Sequence, residues 1–262
     1  MKKKAILSVS FGTKDPKLEK KTIDVLEKEY QKLYPKAAIY RAITNEAVIK
    51  IRHEAEGDDA PVYAVRETLA RMVLDGVTHL YVQPAYLLHG REYEELQEMI
   101  FSHKADFVEV KCGEPLLASQ DDLEEVANVL MSDFKKIKED EATCFVGHGS
   151  EHYTNAIYCA LDYALKDQGF DNAHIATFNA YPKIDKVISH LKKNGTKKVN
   201  IAPFMFVAGE AAMEGVTGDA KDSMASKLRE AGFDVKAKRK CLAEYPGIRN
   251  IFAKHLKAIM ED

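Results

Sequence analysis

Apolar residues along the chain fall into two alternating patterns. Short apolar runs of strand length lie at 4–10, 80–86, 143–146 and 199–206. Between such runs, apolar positions recur at helical spacing, as in 18–33 and 184–193, and Asp58, Asp59 and Pro61 give a helix-start signal. Strands that alternate with helices predict parallel sheets covered on both faces. We therefore expect an α/β fold.

Three pairs of residues that shape the backbone keep one spacing. The glycines at 76 and 195, the prolines at 84 and 203 and the glycines at 90 and 209 are each 119 positions apart. This spacing predicts two similar halves, each a mainly parallel sheet flanked by helices, that enclose a central cleft. The charged stretch 136–142 is the expected boundary, which gives an N-terminal half at 1–138 and a C-terminal half at 139–262.

Composition excludes several classes of protein. The chain has 262 residues and a net charge of −3, which argues against a general nucleic-acid binder. Its four cysteines lack CxxC spacing, so buried thiols are a better interpretation than metal ligands. No apolar run has the length of a signal peptide or a membrane span. We expect a cytoplasmic protein without a membrane partner, for which a homo-oligomer is left open.

Polar residues and glycines follow the predicted strands, where open α/β sheets bind ligands. Five segments occupy such positions: 10–13, 86–92, 147–150, 178–182 and 206–214. His148 lies between two glycines after an apolar strand, so its imidazole is expected either to bind metal or accept a proton, or to bond to a neighbouring loop as a turn residue. Asn179 is either a ligand-binding amide or a structural residue before a proline turn.

Two acidic residues follow the second of the paired glycines. In a helix, Glu210 and Glu214 would share one face, where they would bind metal or take protons, or form a solvated first turn. His89 lies at the equivalent corner of the first half and is a candidate second ligand or a wall of the cleft.

The segment 10–13 lacks the spacing of a phosphate loop. Arg41, beside a strand end, is a candidate partner for the carboxylates of an anionic ligand.

A family resemblance rests on several motifs in order. These are Ser10-Phe11-Gly12-Thr13, Tyr40-Arg41-Ala42-Ile43-Thr44, His89-Gly90-Arg91-Glu92-Tyr93-Glu94, Gly147-His148-Gly149, Tyr181-Pro182 and Val207-Ala208-Gly209. Together they resemble the anaerobic sirohydrochlorin cobaltochelatases, class II tetrapyrrole chelatases of cobalamin biosynthesis. The resemblance extends over essentially the whole chain.

The resemblance implies a metal site made by a histidine, a glutamate and a second histidine. The first histidine matches His148, whereas the other two positions hold Asn179 and Ala211. Two of the three expected ligands are therefore replaced. The resemblance also implies tetrapyrrole contacts, which we expect at Ser10, Phe11, Gly12, Thr13, Arg41, Tyr86, His89, Asn179 and Ala211.

The resulting hypothesis is a chelatase that inserts a divalent metal into sirohydrochlorin or a related macrocycle. Co²⁺ is the expected substrate metal, with Fe²⁺ or Ni²⁺ as alternatives and no organic cofactor. His148 is predicted to bind metal and accept protons, with Glu210 as a second proton acceptor and Glu214 as a second metal ligand. A non-catalytic tetrapyrrole or haem carrier is the main alternative, because two ligands are replaced. An unrelated small-molecule enzyme on the same scaffold is the third.

Overall fold

A computed structural model of the protein describes residues 2–57, 60–134 and 138–261. The strands are β1 (Lys4–Ser10), β2 (Ala38–Ile43), β3 (His79–Pro84), β4 (Glu109–Cys112), β5 (Glu141–Gly147), β6 (Ala173–Thr177), β7 (Lys198–Pro203) and β8 (Asp234–Ala237). The helices are α1 (Pro16–Lys21), α2 (Ile23–Leu33), α3 (Glu46–Glu56), α4 (Val65–Leu74), α5 (Arg91–Ser102), α6 (Gln120–Met131), α7 (Ala156–Asp167), α8 (Ile184–Lys193), α9 (Glu210–Thr217), α10 (Met224–Glu230) and α11 (Pro246–Glu261).

The strands form two separate four-stranded sheets with the same topology. Their orders are β2-β1-β3-β4 and β6-β5-β7-β8, and every pairing is parallel. Strands β1 and β5 lie inside their sheets, and nearly all of their residues are buried, as expected for strands covered by helices on both faces. The predicted two-halved α/β fold is confirmed.

The sequence repeat is a repeat of structure. Strands β3 and β7 end at Pro84 and Pro203, and helices α5 and α9 begin directly after Gly90 and Gly209. The leading pair, Gly76 and Gly195, adopts left-handed φ angles of 74° and 70°, which glycine reaches without a steric penalty. The repeated glycines and prolines therefore set equivalent strand starts, strand ends and helix starts in the two sheets.

The chain divides into two compact units. Unit 1 comprises Met1–Leu116 and Ile248–Asp262, and unit 2 comprises Leu117–Gly247. Helix α11 returns to unit 1, where Arg249 Nε contacts Glu29 Oε1 at 2.7 Å. This division differs from a boundary after residue 138, and 136–137 of the expected boundary stretch lie outside the described residues. The halves 1–138 and 139–262, and the cleft that they would enclose, stay predictions.

Two helical segments differ from the hydrophobic pattern. The segment 18–33 is not one helix, because α1 and α2 are separated at Thr22, whose hydroxyl donates to the Leu18 carbonyl at 2.7 Å. Helix α3 is absent from the predicted elements because its buried residue is a cation, Arg52, rather than an apolar side chain. The predicted start signal at Asp58 and Asp59 lies outside the described residues.

Within the described ranges, no helix has both the length and the apolar character to span a bilayer.

All four cysteines are free thiols, with Cys144 and Cys241 buried and Cys112 and Cys159 half-buried. Burial raises the pKa of Cys144 to about 12 and that of Cys241 to about 11, so both thiols stay protonated at neutral pH.

Candidate functional site

His148 is the first residue after β5, and its side chain is exposed. A Cβ atom on Gly147 would overlap the ring of Tyr158, and one on Gly149 would lie 2.9 Å from the Cβ atom of Ala180. The two glycines therefore permit close packing on both sides of the histidine. The imidazole ring lies 6.4 Å from the ring of Phe178, and no described residue forms a hydrogen bond with it. The ring is available to a ligand.

Asn179 lies beside His148, because the backbone pairing of β5 and β6 continues past both strand ends. Phe178 N donates to Gly147 O at 3.1 Å, and Asn179 N donates to His148 O at 3.3 Å. The following turn contains a cis Tyr181–Pro182 bond and is closed where Thr177 N donates to Pro182 O at 2.8 Å. The backbones of Asn179 and His148 are therefore adjacent, and both side chains are exposed.

Helix α9 supplies the remaining candidates of unit 2. Glu210 is its first residue, Ala211 its second and Glu214 lies one turn later, so the two glutamates share a face as predicted. The carboxylate of Glu210 is exposed and has no partner among the described residues. Glu214 instead accepts a 2.6 Å hydrogen bond from Arg239 Nη1, in an ion pair whose two side chains are each about half exposed. Ala211 offers no donor atom.

The donor atoms of unit 2 make a poor permanent metal site. Within 2–57, 60–134 and 138–261, no group of three or more histidine, cysteine or acidic side chains is placed to hold a metal ion. Tight binding of a divalent transition metal needs several convergent, deprotonated ligands. One imidazole beside one amide is suited instead to a short-lived contact with a metal, or to accepting a proton near neutral pH.

In unit 1, the segment from Ser10 to Thr13 forms a tight turn at the end of β1. Ser10 and Thr13 are buried, and Ser10 Oγ accepts a hydrogen bond from Gly12 N at 3.2 Å. Gly12 has a φ of 79°, and a Cβ atom there would lie 2.6 Å from Ile43 Cγ2, so no other residue fits. Phe11 is 49% exposed at the tip of this turn.

Tyr86 and His89 follow β3 near this turn. The ring of Tyr86 meets Phe11 edge-on at 6.2 Å, and its hydroxyl donates to Thr44 Oγ1 at 3.3 Å. Burial raises the pKa of Tyr86 to about 12, so its phenol stays neutral and can donate a hydrogen bond. His89 Nε2 is hydrogen-bonded to Glu114, which leaves this nitrogen unavailable to a metal unless that contact breaks.

The guanidinium of Arg41 is already surrounded by carboxylates. Its nitrogens lie 3.1 Å from Glu19 Oε1, 2.6 Å from Asp24 Oδ1 and 2.5 Å from Glu27 Oε2. Burial raises the pKa of Glu27, although the hydrogen bond from Arg41 opposes that effect. The predicted contact of Arg41 with a tetrapyrrole carboxylate stays a prediction, and it would require these pairs to open.

With this geometry in place, comparison with known proteins identifies the family. A family model described as cobalt chelatase (CbiK) matches residues 4–261. The chain belongs to the cobalt chelatase family. The resemblance inferred from the motifs is thereby confirmed over almost the full length.

The names of similar proteins are consistent with membership of the cobalt chelatase family. A sirohydrochlorin cobaltochelatase of Salmonella typhimurium is 29% identical over 254 residues, which cover 97% of this chain and 95% of the relative. Sirohydrochlorin cobaltochelatase CbiKC of Nitratidesulfovibrio vulgaris is 29% identical over 261 residues, which cover 98% and 91%. The solved structure of SirB from Bacillus subtilis with Fe³⁺ superposes on this chain with a TM-score of 0.69 at 16% sequence identity. The match covers 97% of this chain and 94% of the SirB chain, so the two proteins share the fold.

Several contacts of the candidate residues in each unit are not evident from sequence. Arg239 and Glu114, which hold Glu214 and His89, are 25 residues from their partners and belong to no motif. Asn155 links two loops beside His148, although its position after Gly147-His148-Gly149 carries no spacing signal. These pairings depend on tertiary structure, so periodicity and motif spacing do not predict them.

Proposed function

We propose that this member of the cobalt chelatase family inserts a divalent metal, Co²⁺ foremost, into sirohydrochlorin or a closely related macrocycle. The observation that carries the proposal is the exposed imidazole of His148 at the end of β5, which forms no hydrogen bond with any described residue. The family membership supplies the reaction type. The names of the two 29%-identical relatives support sirohydrochlorin and cobalt as substrates.

Metal insertion requires that the two pyrrole N–H groups of the macrocycle lose their protons as the metal forms bonds to the ring nitrogens. His148 would accept one of these protons through its imidazole, or would contact the incoming metal and leave that proton to solvent water. The carboxylate of Glu210 stands exposed at the first turn of α9 and would accept the other proton. Asn179 would orient the macrocycle through its amide rather than bind metal as a carboxylate would.

The metal is a substrate in this account and need not be stored. Since Ala211 lacks a donor and Glu214 is paired with Arg239, the protein holds Co²⁺ weakly until the macrocycle takes it. Weak initial binding suits transfer, because a tightly held ion would have to be released before insertion. Fe²⁺ and Ni²⁺ are alternative substrate metals, and a single imidazole does not discriminate strongly among these ions.

A non-catalytic tetrapyrrole carrier is the second candidate. Replacement of two ligands by Asn179 and Ala211, together with the lack of a three-ligand group in the described residues, favours it. Such a protein would keep the strand-end loops that hold a macrocycle and would not accelerate insertion. Fold alone does not separate the two functions, since one scaffold can support several.

An anaerobic absorbance assay separates these candidates. Purified protein is mixed with sirohydrochlorin and Co²⁺, Fe²⁺ or Ni²⁺, and the spectrum is followed against a protein-free control. Faster conversion than in the control, with Co²⁺ giving the highest rate, is the expected result. A spectral shift that reports binding without faster conversion would establish the carrier and contradict the chelatase.

A further inference from the structure

Two exposed tyrosines lie at the end of unit 2 where β5 and β6 finish. Tyr153 is 80% exposed and Tyr181 is 60% exposed. Single exposed aromatic residues are common on protein surfaces and need no function. These two differ because both lie in the loops that carry His148 and Asn179.

The side chain of Asn155 ties these loops together. Its Oδ1 accepts a hydrogen bond from Ser150 N at 3.0 Å, two residues after His148. Its Nδ2 donates to the carbonyl of Tyr181 at 2.6 Å. Tyr153 begins the short 3₁₀ turn that ends at Asn155, so one amide fixes the backbone near both tyrosines.

The ring of Tyr153 also packs against a neighbouring ring. It lies 4.3 Å from the ring of His152 at an interplanar angle of 43°. His152 Nδ1 is in turn hydrogen-bonded to Thr154 Oγ1 at 2.9 Å. An aromatic side chain that is held before a ligand arrives loses less conformational entropy on binding.

We propose that Tyr153 and Tyr181 bind the tetrapyrrole, and that Asn155 is the residue that positions them. This inference rests on the proposed function. A tetrapyrrole is a wide conjugated ring whose acidic side chains surround its edge, so it suits contact with aromatic faces and with phenol donors. Two tyrosines in the loops of His148 would hold the ring near the imidazole, which itself supplies little binding energy.

Titration of purified protein with sirohydrochlorin, followed by quenching of tyrosine fluorescence or by macrocycle absorbance, tests the proposal. Tyr153→Ala and Tyr181→Ala are each expected to raise the Kd about tenfold, whereas Tyr153→Phe and Tyr181→Phe keep most of the affinity. Tyr163→Ala is the matched control, because Tyr163 is 71% exposed on α7 of the same unit. Circular dichroism checks that each variant is folded.

The positioning role of Asn155 is tested by comparing the KM values for the two substrates, because a general loss of loop structure would change both. Asn155→Ala is expected to raise the KM for sirohydrochlorin about tenfold while the KM for Co²⁺ stays unchanged. Asn128→Ala is its control, since Asn128 forms comparable amide hydrogen bonds to Glu124 O and Gln168 Oε1 on the exposed face of α6. Equal changes in both KM values would contradict a positioning role.

The outcomes distinguish this inference from the proposed function. If the wild-type protein metallates sirohydrochlorin and both tyrosine-to-alanine variants bind it with wild-type affinity, the inference is overturned and the chelatase stands. If the wild-type protein neither binds nor metallates sirohydrochlorin, the proposed function fails and the inference fails with it.

Discussion

The main-chain N–H of Asn179 donates a 3.3 Å hydrogen bond to the carbonyl of His148. The two residues are therefore neighbours across the ends of β6 and β5, and both side chains are exposed. An amide stands where the family resemblance implies a carboxylate. Among the described residues, no group of three or more histidine, cysteine or acidic side chains could hold a metal ion around this pair.

Restoring the two replaced ligands should convert this site into one that stores metal. The double variant Asn179→Glu with Ala211→His is expected to bind Co²⁺ at least about tenfold more tightly, because a carboxylate and a second imidazole would join His148. Isothermal titration calorimetry with Co²⁺ measures the gain. Asn179→Gln, which keeps an amide, is the control and should bind metal as weakly as the wild type.

Unchanged Co²⁺ affinity in the double variant would contradict the proposed placement of these side chains around one ion. A gain already present in Asn179→Gln would assign the effect to loop rearrangement rather than to the new carboxylate.

The two glutamates of α9 should contribute unequally. Glu210→Gln is expected to lower kcat for insertion about tenfold or more, because it removes an unpaired carboxylate that can accept a proton. Glu214→Gln should change kcat less than about threefold, since this carboxylate is already paired with Arg239. Stopped-flow absorbance gives both rates. A larger loss in Glu214→Gln would instead make that residue the functional carboxylate.

Much of the fold is predictable from local signals. Gly76 and Gly195 need left-handed φ angles, and Pro84 and Pro203 end strands, so each residue type reports its own backbone position. Because these constraints act locally, the shared spacing of the paired glycines and prolines is sufficient to predict that one α/β unit is repeated. Helix α3 is not predictable in this way, because it buries Arg52, which contacts Glu19 Oε2 at 2.9 Å, and its hydrophobic pattern is therefore weak.

The site is less predictable, because its key pairings are long-range. The imidazole of His148 was a strong candidate since a glycine stands on each side of it. By contrast, the ion pair of Glu214 is formed with Arg239, in a segment that follows β8. Nothing in a single sequence indicates which exposed carboxylate has a cation beside it. Tertiary packing therefore determines which of these side chains are available to bind a ligand.

The glycine after His148 should be essential for packing as well as for its backbone angle. Gly149 and Gly169 both have a φ of 82°, but a Cβ atom on Gly149 would lie 2.9 Å from Ala180 Cβ, whereas Gly169 has open space. Gly149→Ala should lower the free energy of unfolding by about 2–4 kcal/mol and reduce insertion. Gly169→Ala should cost about 1–2 kcal/mol and leave the insertion rate unchanged. Urea unfolding and the absorbance assay measure these effects, and equal losses would contradict the packing argument.

His174 should make stability depend on pH. Burial, reinforced by Lys166, lowers the pKa of this β6 residue to about 4, and its Nε2 has no hydrogen-bond partner in the described structure. Between pH 4 and about 6.5 the unfolded chain binds a proton that the folded chain does not, so stability falls as the pH drops. The expected loss from pH 7 to pH 5 is about 2 kcal/mol from this residue.

Urea unfolding at pH 7 and pH 5 measures this dependence. His174→Gln should show a smaller loss than the wild type, because glutamine does not titrate. His148→Gln, at an exposed position after β5, should behave like the wild type. A wild-type pH dependence in His174→Gln would show that other groups cause it.

The decisive measurement is the rate of Co²⁺ insertion into sirohydrochlorin by His148→Ala, compared with the wild type and with His190→Ala. We expect His148→Ala to fall to the protein-free rate and His190→Ala to keep the wild-type rate, while all three proteins bind sirohydrochlorin. Insertion by His148→Ala at the wild-type rate would show that this imidazole does not perform the chemistry.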